Sequence, residues 1–410
     1  MSLAGRVSQA VAVALSLCAA AGAQVNGPEF SVNTYTTGAQ YAARVAADGA
    51  GRFVVAWGGS GAGDASGIFA RRYRSSGAPI GDEFLVNSAV GSSEGYPAVD
   101  AAADAGFVVA WEATGDGYGY GIFARRFDAN GAPIGGDFQV NNSTVGNQQY
   151  ADVAMASDGS FVVVWNDIGY DFNYTIRARE YDSSGSPVGL DFQVNTFGTA
   201  FNYHPKVTTV AGGGFVVVWD GEGLFDDAGI FGRRYDAAGS PIGGEFRVNG
   251  NLLNWDAYPS IAAEASGAFV VSWQGADGAT GDYDIFARRF DELGDPVAGQ
   301  FRVNTYTTAD QYGASIGSDH LGNFLVAWNE VGPDGSGYSV QARRYDSNGS
   351  ALTGDFRVNT YTINHQYYAS VAVDPRENFF VVWESNGQDG SARGVFGQRV
   401  GDFIFGDGFR

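Results

Sequence analysis

The sequence predicts an all-β fold, a seven-bladed β-propeller with four antiparallel strands per blade and an N-terminal strand that completes the last blade. Three observations lead there. An apolar run ending in tryptophan recurs seven times, at Trp57, Trp111, Trp165, Trp219, Trp273, Trp328 and Trp383, at a spacing of 54 or 55 residues, and so steady a period over nearly the whole chain marks a repeat architecture. Each period contains four short apolar stretches between turn residues, with no helical periodicity. The Phe-x-Val-Asn core of the fourth stretch also occurs seven times, but its first copy, at Phe30, precedes every other strand, and none follows Trp383.

The second period shows the elements in order. Residues 96–101 read as a small-residue strand, 107–111 as a fully buried one, 121–127 as a third and 137–141 as the fourth. The punctuation lies at Asp104-Ala105-Gly106 and at Asn130-Gly131-Ala132-Pro133, where glycine and proline favour turns. Placing the surplus Phe30 strand outermost in the last blade equalises the blades and removes an open sheet edge. No blade can stand alone, because both faces of its sheet are apolar. Stacking them buries the tryptophans between neighbours, at about 25 cal/mol per Å² of apolar surface.

Residues 1–23 read as a secretory leader: Arg6 supplies the positive region, an apolar stretch follows, and Ala21-Gly22-Ala23 is a small-residue cleavage site before Gln24. The apolar stretch is shorter than the ~20 residues that span a bilayer, so no membrane anchor is expected in the mature chain. The domain reading is therefore leader 1–23, propeller 24–400 and tail 401–410, with export to the periplasm or beyond. Cys18, the only cysteine, leaves with the leader, so neither disulfide nor thiol chemistry is expected. The formal charge of −21 argues against nucleic acid as partner. The ring is expected to be a monomer.

The repeat carries Gly-x-Phe-Val-Val-Ala-Trp, Gly-Ile-Phe-Ala-Arg-Arg-Tyr, Gly-x-Pro-Ile-Gly and Glu-Phe-x-Val-Asn. It resembles the tandem propeller repeats of exported bacterial proteins, many without an assigned activity. The resemblance implies fold and export but no chemistry. The tail Phe405-Gly406-Asp407-Gly408-Phe409 is similar to a short C-terminal motif of some Gram-negative exported proteins. WD repeats fit poorly, since only Trp219-Asp220 matches, and the calcium loops of integrin-like propellers are not found.

Two columns of charge read as structural. Arginine pairs such as Arg71-Arg72 and Arg125-Arg126 sit in the third strands, and acids such as Glu83 and Asp137 open the fourth strands, which predicts cross-strand pairing within each blade. Tyr41, Tyr96, Tyr150, Tyr203, Tyr258, Tyr312 and Tyr367 precede the innermost strands and are expected to encircle one channel mouth, packing between blades or stacking on a ligand.

Residues that break the repeat are the ligand candidates, because the ring does not require them. Trp255 is the eighth tryptophan, in a polar loop on the tyrosine-bearing face, and reads either as a ligand platform or as a side chain folded onto its own blade. Asp256, His204 and Lys206 join it, with Tyr203, Tyr258 and His365 on the same face. Asp116, Asp277, Asp334 and Asp389 each open an Asp-Gly in the loops after the tryptophan strands. They suit ordinary turns and are the candidates for calcium, the one cofactor considered. No nucleophile elbow, zinc spacing or phosphate loop appears. The expectation is a non-catalytic binding or scaffold propeller for a carbohydrate or protein, with a polysaccharide hydrolase or lyase using carboxylates at the channel mouth as the alternative.

Overall fold

The computed structural model describes residues 24–25, 27–89, 92–102, 106–169, 174–197, 201–223, 226–250, 255–276, 281–332 and 335–401. The expected leader, residues 1–23, the end of the tail, Asp277 and Asp334 lie outside the described residues.

Seven antiparallel sheets radiate from an axis. Blade 1 consists of Gln40–Ala47, Phe53–Gly61, Asp64–Tyr73 and Phe84–Leu85 from inside to outside. The other innermost strands are Glu94–Ala101, Asn147–Met155, Asn202–Thr209, Ala257–Ala263, Gln311–Ser318 and Gln366–Val373. Each inner strand touches the next, and the seventh touches the first, so they wall a central channel. Closure follows the predicted route: Phe30 pairs with Gly397 and Ser31 with Phe396, while Gln24 and Val25 pair further along the same strand.

Apolar packing lies between blades rather than at the centre. Each hydrophobic cluster joins two neighbours: Trp165 of blade 3 packs on Val108, Ala110, Ile122 and Ala124 of blade 2, and Trp57 shares a cluster with Phe380 and Val382 of blade 7. All seven repeated tryptophans are essentially inaccessible to solvent.

The fourth strand is shorter than expected in most blades, with two paired residues at Phe192–Gln193 and at Phe301–Arg302. The Asn that ends the Phe-x-Val-Asn core explains this. Its side-chain Oδ1, not a backbone carbonyl, accepts the third-strand N–H: Asn87 from Ile68 at 2.8 Å, Asn141 from Ile122 at 2.8 Å and Asn33 from Val395 at 2.7 Å. The ladder passes to a side chain and the strand ends.

The predicted cross-strand pairing is corrected in kind. Arg125 and Asp137 do approach at 3.6 Å, but both columns work chiefly across blade junctions. The first arginine donates to a carbonyl of the preceding blade, Arg125 to Val86 at 2.8 Å and Arg288 to Val248 at 2.9 Å. The second donates to turn carbonyls of the following blade, Arg126 to Ser183 at 2.7 Å. The acids accept backbone N–H groups of the preceding blade: Asp137 from Ser88 and Asp191 from Asn142, both at 2.7 Å. Glu29, on the N-terminal segment, accepts Thr360 N–H at 2.7 Å, so this belt also closes.

Deleting residues 24–33 is expected to leave the Arg393–Gly401 strand as a bare edge and to release the Val395 N–H from Asn33. The truncated chain should aggregate or melt well below the parent, as checked by light scattering and calorimetry.

Candidate functional site

Every innermost strand carries a bulge near its start, with register shifts between Gln149 and Asp152, Tyr203 and Lys206, and Tyr367 and Ser370 among others. The bulge holds one residue in the left-handed region: Ala42 (φ 53°), Tyr96 (48°), Tyr150 (56°), His204 (47°), Tyr258 (54°), Gly313 (66°) and Tyr368 (57°). For bulky residues this conformation is strained, by about 1–2 kcal/mol each, and strain of this kind gathers at functional sites.

The tyrosines read as one column are thus two. Tyr41, Tyr203, Tyr312 and Tyr367 lie opposite the residue after the tryptophan, in the pairs Tyr41–Gly58, Tyr203–Asp220, Tyr312–Asn329 and Tyr367–Glu384. Tyr96, Tyr150 and Tyr258 sit one place later, in the left-handed position, where blades 4 and 7 have His204 and Tyr368. The distance back from each tryptophan differs by one residue between the two sets, and that is the signal that separates them.

The left-handed residues form a collar at the channel mouth. Tyr96 lies edge-on to Tyr41 and to Tyr150 (centroids 6.2 and 6.4 Å apart), Tyr150 meets His204 at 4.9 Å, and His204 stacks on Tyr258 at 4.0 Å. Tyr96, Tyr258 and Tyr368 remain about half exposed. Blade 6 interrupts the collar. A Cβ at Gly313 would stand 2.5 Å from Asn329 Nδ2, so glycine occupies that position.

What holds the collar was not recognised from sequence. In five blades the polar residue after the tryptophan, read there only as a poor WD match, reaches to the next blade and accepts the N–H of its left-handed residue; Gly58 has no side chain to do so, and the amide of Asn329 is buried without a hydrogen bond. Glu112 accepts from Tyr150 at 2.5 Å, Asn166 from His204 at 3.0 Å, Asp220 from Tyr258 at 3.2 Å and Gln274 from Gly313 at 3.1 Å. Glu384 accepts from Ala42 at 2.5 Å, across the closure. Asp220 also meets His204 Nδ1 at 2.9 Å. Burial pushes the Glu112 carboxyl up to about 7, against the Tyr150 N–H. Burial also raises Glu384, opposed by the Ala42 N–H and Arg393.

The structure separates the ligand candidates. Trp255 is 72% exposed. His204 and Tyr258 belong to the collar. Tyr203 lies beside it, 4.7 Å from Tyr174 and 5.8 Å from His204, and burial raises its hydroxyl pKa. His365 packs against Tyr338 at 4.9 Å, in blades 6 and 7, with its Nδ1 buried and without a hydrogen bond.

Asp256 is corrected to a framework residue. It is 4% exposed, receives Trp273 Nε1–H at 3.1 Å and Asn249 Nδ2–H at 2.7 Å, and stands where other blades have the buried Gln148 or Gln311, which receive Asn141 and Asn304 in the same way. Asp116 and Asp389 are held singly, by the N–H of Tyr118 and of Ser391 in their own loops and by the amides of Asn141 and Asn33. No group of three His, Cys, Asp or Glu able to hold a metal occurs among the described residues. Lys206 lies deeper, in the channel, 3.4 Å from Asp152 Oδ1.

At the other end, the channel opens into a cavity of about 510 Å³ lined by Asp48, Asp319, His320 and Asp374 among others. These aspartates cap their own hairpins, Asp319 through the N–H groups of Leu321 and Asn323 and Asp374 through those of Arg376 and Asn378. Their carboxylates serve the turns.

No protein-family model matches the sequence, and no curated protein matches it. Among solved structures the chain is similar to a protein of unknown function from Dyadobacter fermentans, at a TM-score of 0.54 and 10% identity, over 91% of this chain and 97% of that one. It is similar to an ulvan lyase of a polysaccharide lyase family, at 0.56 and 11%, over 93% and 95%. An α-L-arabinanase from Penicillium chrysogenum complexed with arabinobiose follows at 0.50 and 11%, over 75% and 92%. At such identities the likeness is one of fold.

Two outcomes follow from this geometry. Because its backbone is left-handed, Tyr258→Gly should be more stable than Tyr258→Ala by about 1 kcal/mol, whereas glycine ordinarily loses to alanine within a strand; urea titration reads the order. The raised pKa of Glu112 makes the folded state bind a proton more tightly than the unfolded one. Its contribution is therefore full below about 4.5 and declines as pH rises through about 7, and Glu112→Gln should remove that part of the pH slope in calorimetric melts.

Proposed function

We propose that the protein is an exported, non-catalytic propeller that binds carbohydrate on the face bearing the aromatic collar and Trp255. The collar itself is the observation that carries this reading. Four tyrosines and a histidine are held in a strained backbone conformation with faces and edges open to solvent, although the apolar stability of the ring lies elsewhere. Flat aromatic surfaces with polar tips suit the apolar faces and hydroxyl rims of sugar rings. Trp255, highly exposed on the same face, adds a second stacking surface. Two of the similar propellers, the ulvan lyase and the arabinanase with its bound arabinobiose, are carbohydrate-active by name.

Binding is favoured over hydrolysis by where the carboxylates point. Hydrolysis of a glycosidic bond in most enzymes needs two carboxyl groups facing one cleft. Here Glu112, Asp220 and Glu384 each accept a backbone N–H of the next blade, and their removal would loosen the collar.

Titration against an array of neutral and acidic oligosaccharides, paired with turnover assays on the polysaccharides that bind, tests the reading. Binding without turnover is expected. Trp255→Ala and Tyr258→Ala should each weaken it about tenfold, or ~1.4 kcal/mol, with Trp255→Ala leaving the melting temperature nearly unchanged. Trp219→Ala, which removes a buried member of the repeat, should instead cost about 3–5 kcal/mol of stability. Turnover would establish the hydrolase or lyase reading, and no glycan binding at all would point to a protein partner.

A further inference from the structure

Just past the bulge, the inner strands present one further set of equivalent side chains, a rung of the channel wall beneath the collar. Three blades contribute serines. Ser260 Oγ accepts Ile316 N–H at 3.2 Å, Ser315 Oγ accepts Val371 N–H at 3.1 Å and Ser370 Oγ accepts Val45 N–H at 3.2 Å, each from the next blade. A hydroxyl accepting through its oxygen still has its proton to donate, and among the described residues none of these protons has an acceptor.

The opposite arc carries charge. Lys206 and Asp152 lie 3.4 Å apart on neighbouring strands, and the second carboxylate oxygen of Asp152 takes Val207 N–H at 3.0 Å. Arg44 stands at the same level beyond Ala98, and its one hydrogen bond goes to its neighbour's carbonyl, Ala43 O, at 2.9 Å. Two cations therefore share one rung carboxylate. The next acid, Glu384, is already taken by Arg393 at 3.0 Å and by Ala42 N–H.

We propose that this rung is an oxyanion-binding girdle in the central channel, which takes the carboxylate or sulfate of an acidic glycan whose neutral rings lie on the collar. The inference rests on the carbohydrate reading above and deepens it. Five donors line the rung, two of them cationic, and a charge-assisted bond from either cation would hold an anion there. The positions of the charged groups agree. Burial lowers the Lys206 pKa, Asp152 opposes this and Arg44 adds to it; burial lowers Arg44 as well, against Asp152 and Glu384. An anion between them would relieve both. A further acid on the inner strands, Asp100, is pushed up to about 7 by burial and so repels an anion less than an ordinary aspartate. Overall acidity slows the approach of a polyanion but does not set the sign of the field inside the rung.

The full exported chain is melted at constant ionic strength with chloride exchanged for sulfate, and is titrated with a galacturonate oligosaccharide and an uncharged arabino-oligosaccharide. Sulfate should raise the melting temperature by ~1–2 °C. Lys206→Met and Arg44→Met should abolish that rise and weaken the acidic oligosaccharide about tenfold, while leaving the neutral one unchanged. Lys206→Arg, which keeps the charge, should retain both responses and covers the case in which Lys206→Met folds poorly. A response to sulfate without one to the galacturonate oligosaccharide would make the ligand a free oxyanion at the same site. A sulfate effect equal in wild type and both methionine variants, or no response to either anion, overturns the girdle. Neutral oligosaccharide binding that is lost in Tyr258→Ala would then leave the collar reading standing on its own.

Discussion

The polar side chain after a repeated tryptophan crosses the blade junction and takes the N–H of the left-handed residue beyond it, from Glu112 to Tyr150, from Asp220 to Tyr258 and, across the closure, from Glu384 to Ala42. A buried N–H at a bulge has lost its ladder partner, and leaving it unpaired costs about 1–3 kcal/mol. The neighbour's side chain removes that cost at five of the junctions, so there the bulge and the strained φ depend on the preceding blade being in place. The same dependence appears at the rim, where Asp137 takes Ser88 N–H and Arg126 reaches the carbonyl of Ser183. Polar and apolar satisfaction both lie at the junctions. This explains how a long chain does without disulfides or a central core, and why a displaced N-terminal strand is worth keeping.

Conserving the role of a position does not require conserving its residue. The carboxylate of Asp256 and the amides of Gln148 and Gln311 accept the same asparagine bond, and Glu, Asn, Asp and Gln alternate in the position that holds the collar. Within this variation the chemistry of single blades diverges. Asp220 holds Tyr258 and also meets His204, so among the described residues one blade junction carries a histidine–carboxylate pair that the others lack. Asn329 fills the space a side chain at Gly313 would need, so blade 6 opens a gap in the collar. A ring of near-identical blades thereby acquires a front with distinct sectors, which an asymmetric ligand requires.

Blade number, strand order and closure were legible because they rest on apolar periodicity and on the count of a motif, and both survive substitution. The site was half legible. Trp255 stands outside the repeat and is exposed, although its loop also allowed a side chain folded onto its own blade. Asp256 was misjudged because a one-for-one exchange of carboxylate for amide looks like a break in the repeat when only residue identity is compared. The tyrosines merged into one column because a bulge places adjacent residues in different environments, and pattern alone does not reveal a bulge. Measuring each tyrosine from its own tryptophan would have separated Tyr203 from Tyr258.

The bulge also decides what the channel contains. Simple strand alternation would carry one facing uninterrupted along each inner strand, from the mouth to the far cavity. The positions between collar and rung, such as Ala43 and Ala151, turn into the blade junctions and are buried there. Small residues suit those positions because neighbouring sheets converge most closely near the axis. The two surfaces therefore arise from one backbone irregularity repeated seven times: an aromatic layer facing solvent, and beneath it a polar layer in which Arg44, Asp152 and Lys206 sit beside serines. A change that straightened the bulge in blade 2, 3, 4, 5 or 7 would displace that blade's collar ring from the mouth, so the aromatic layer depends on this backbone irregularity.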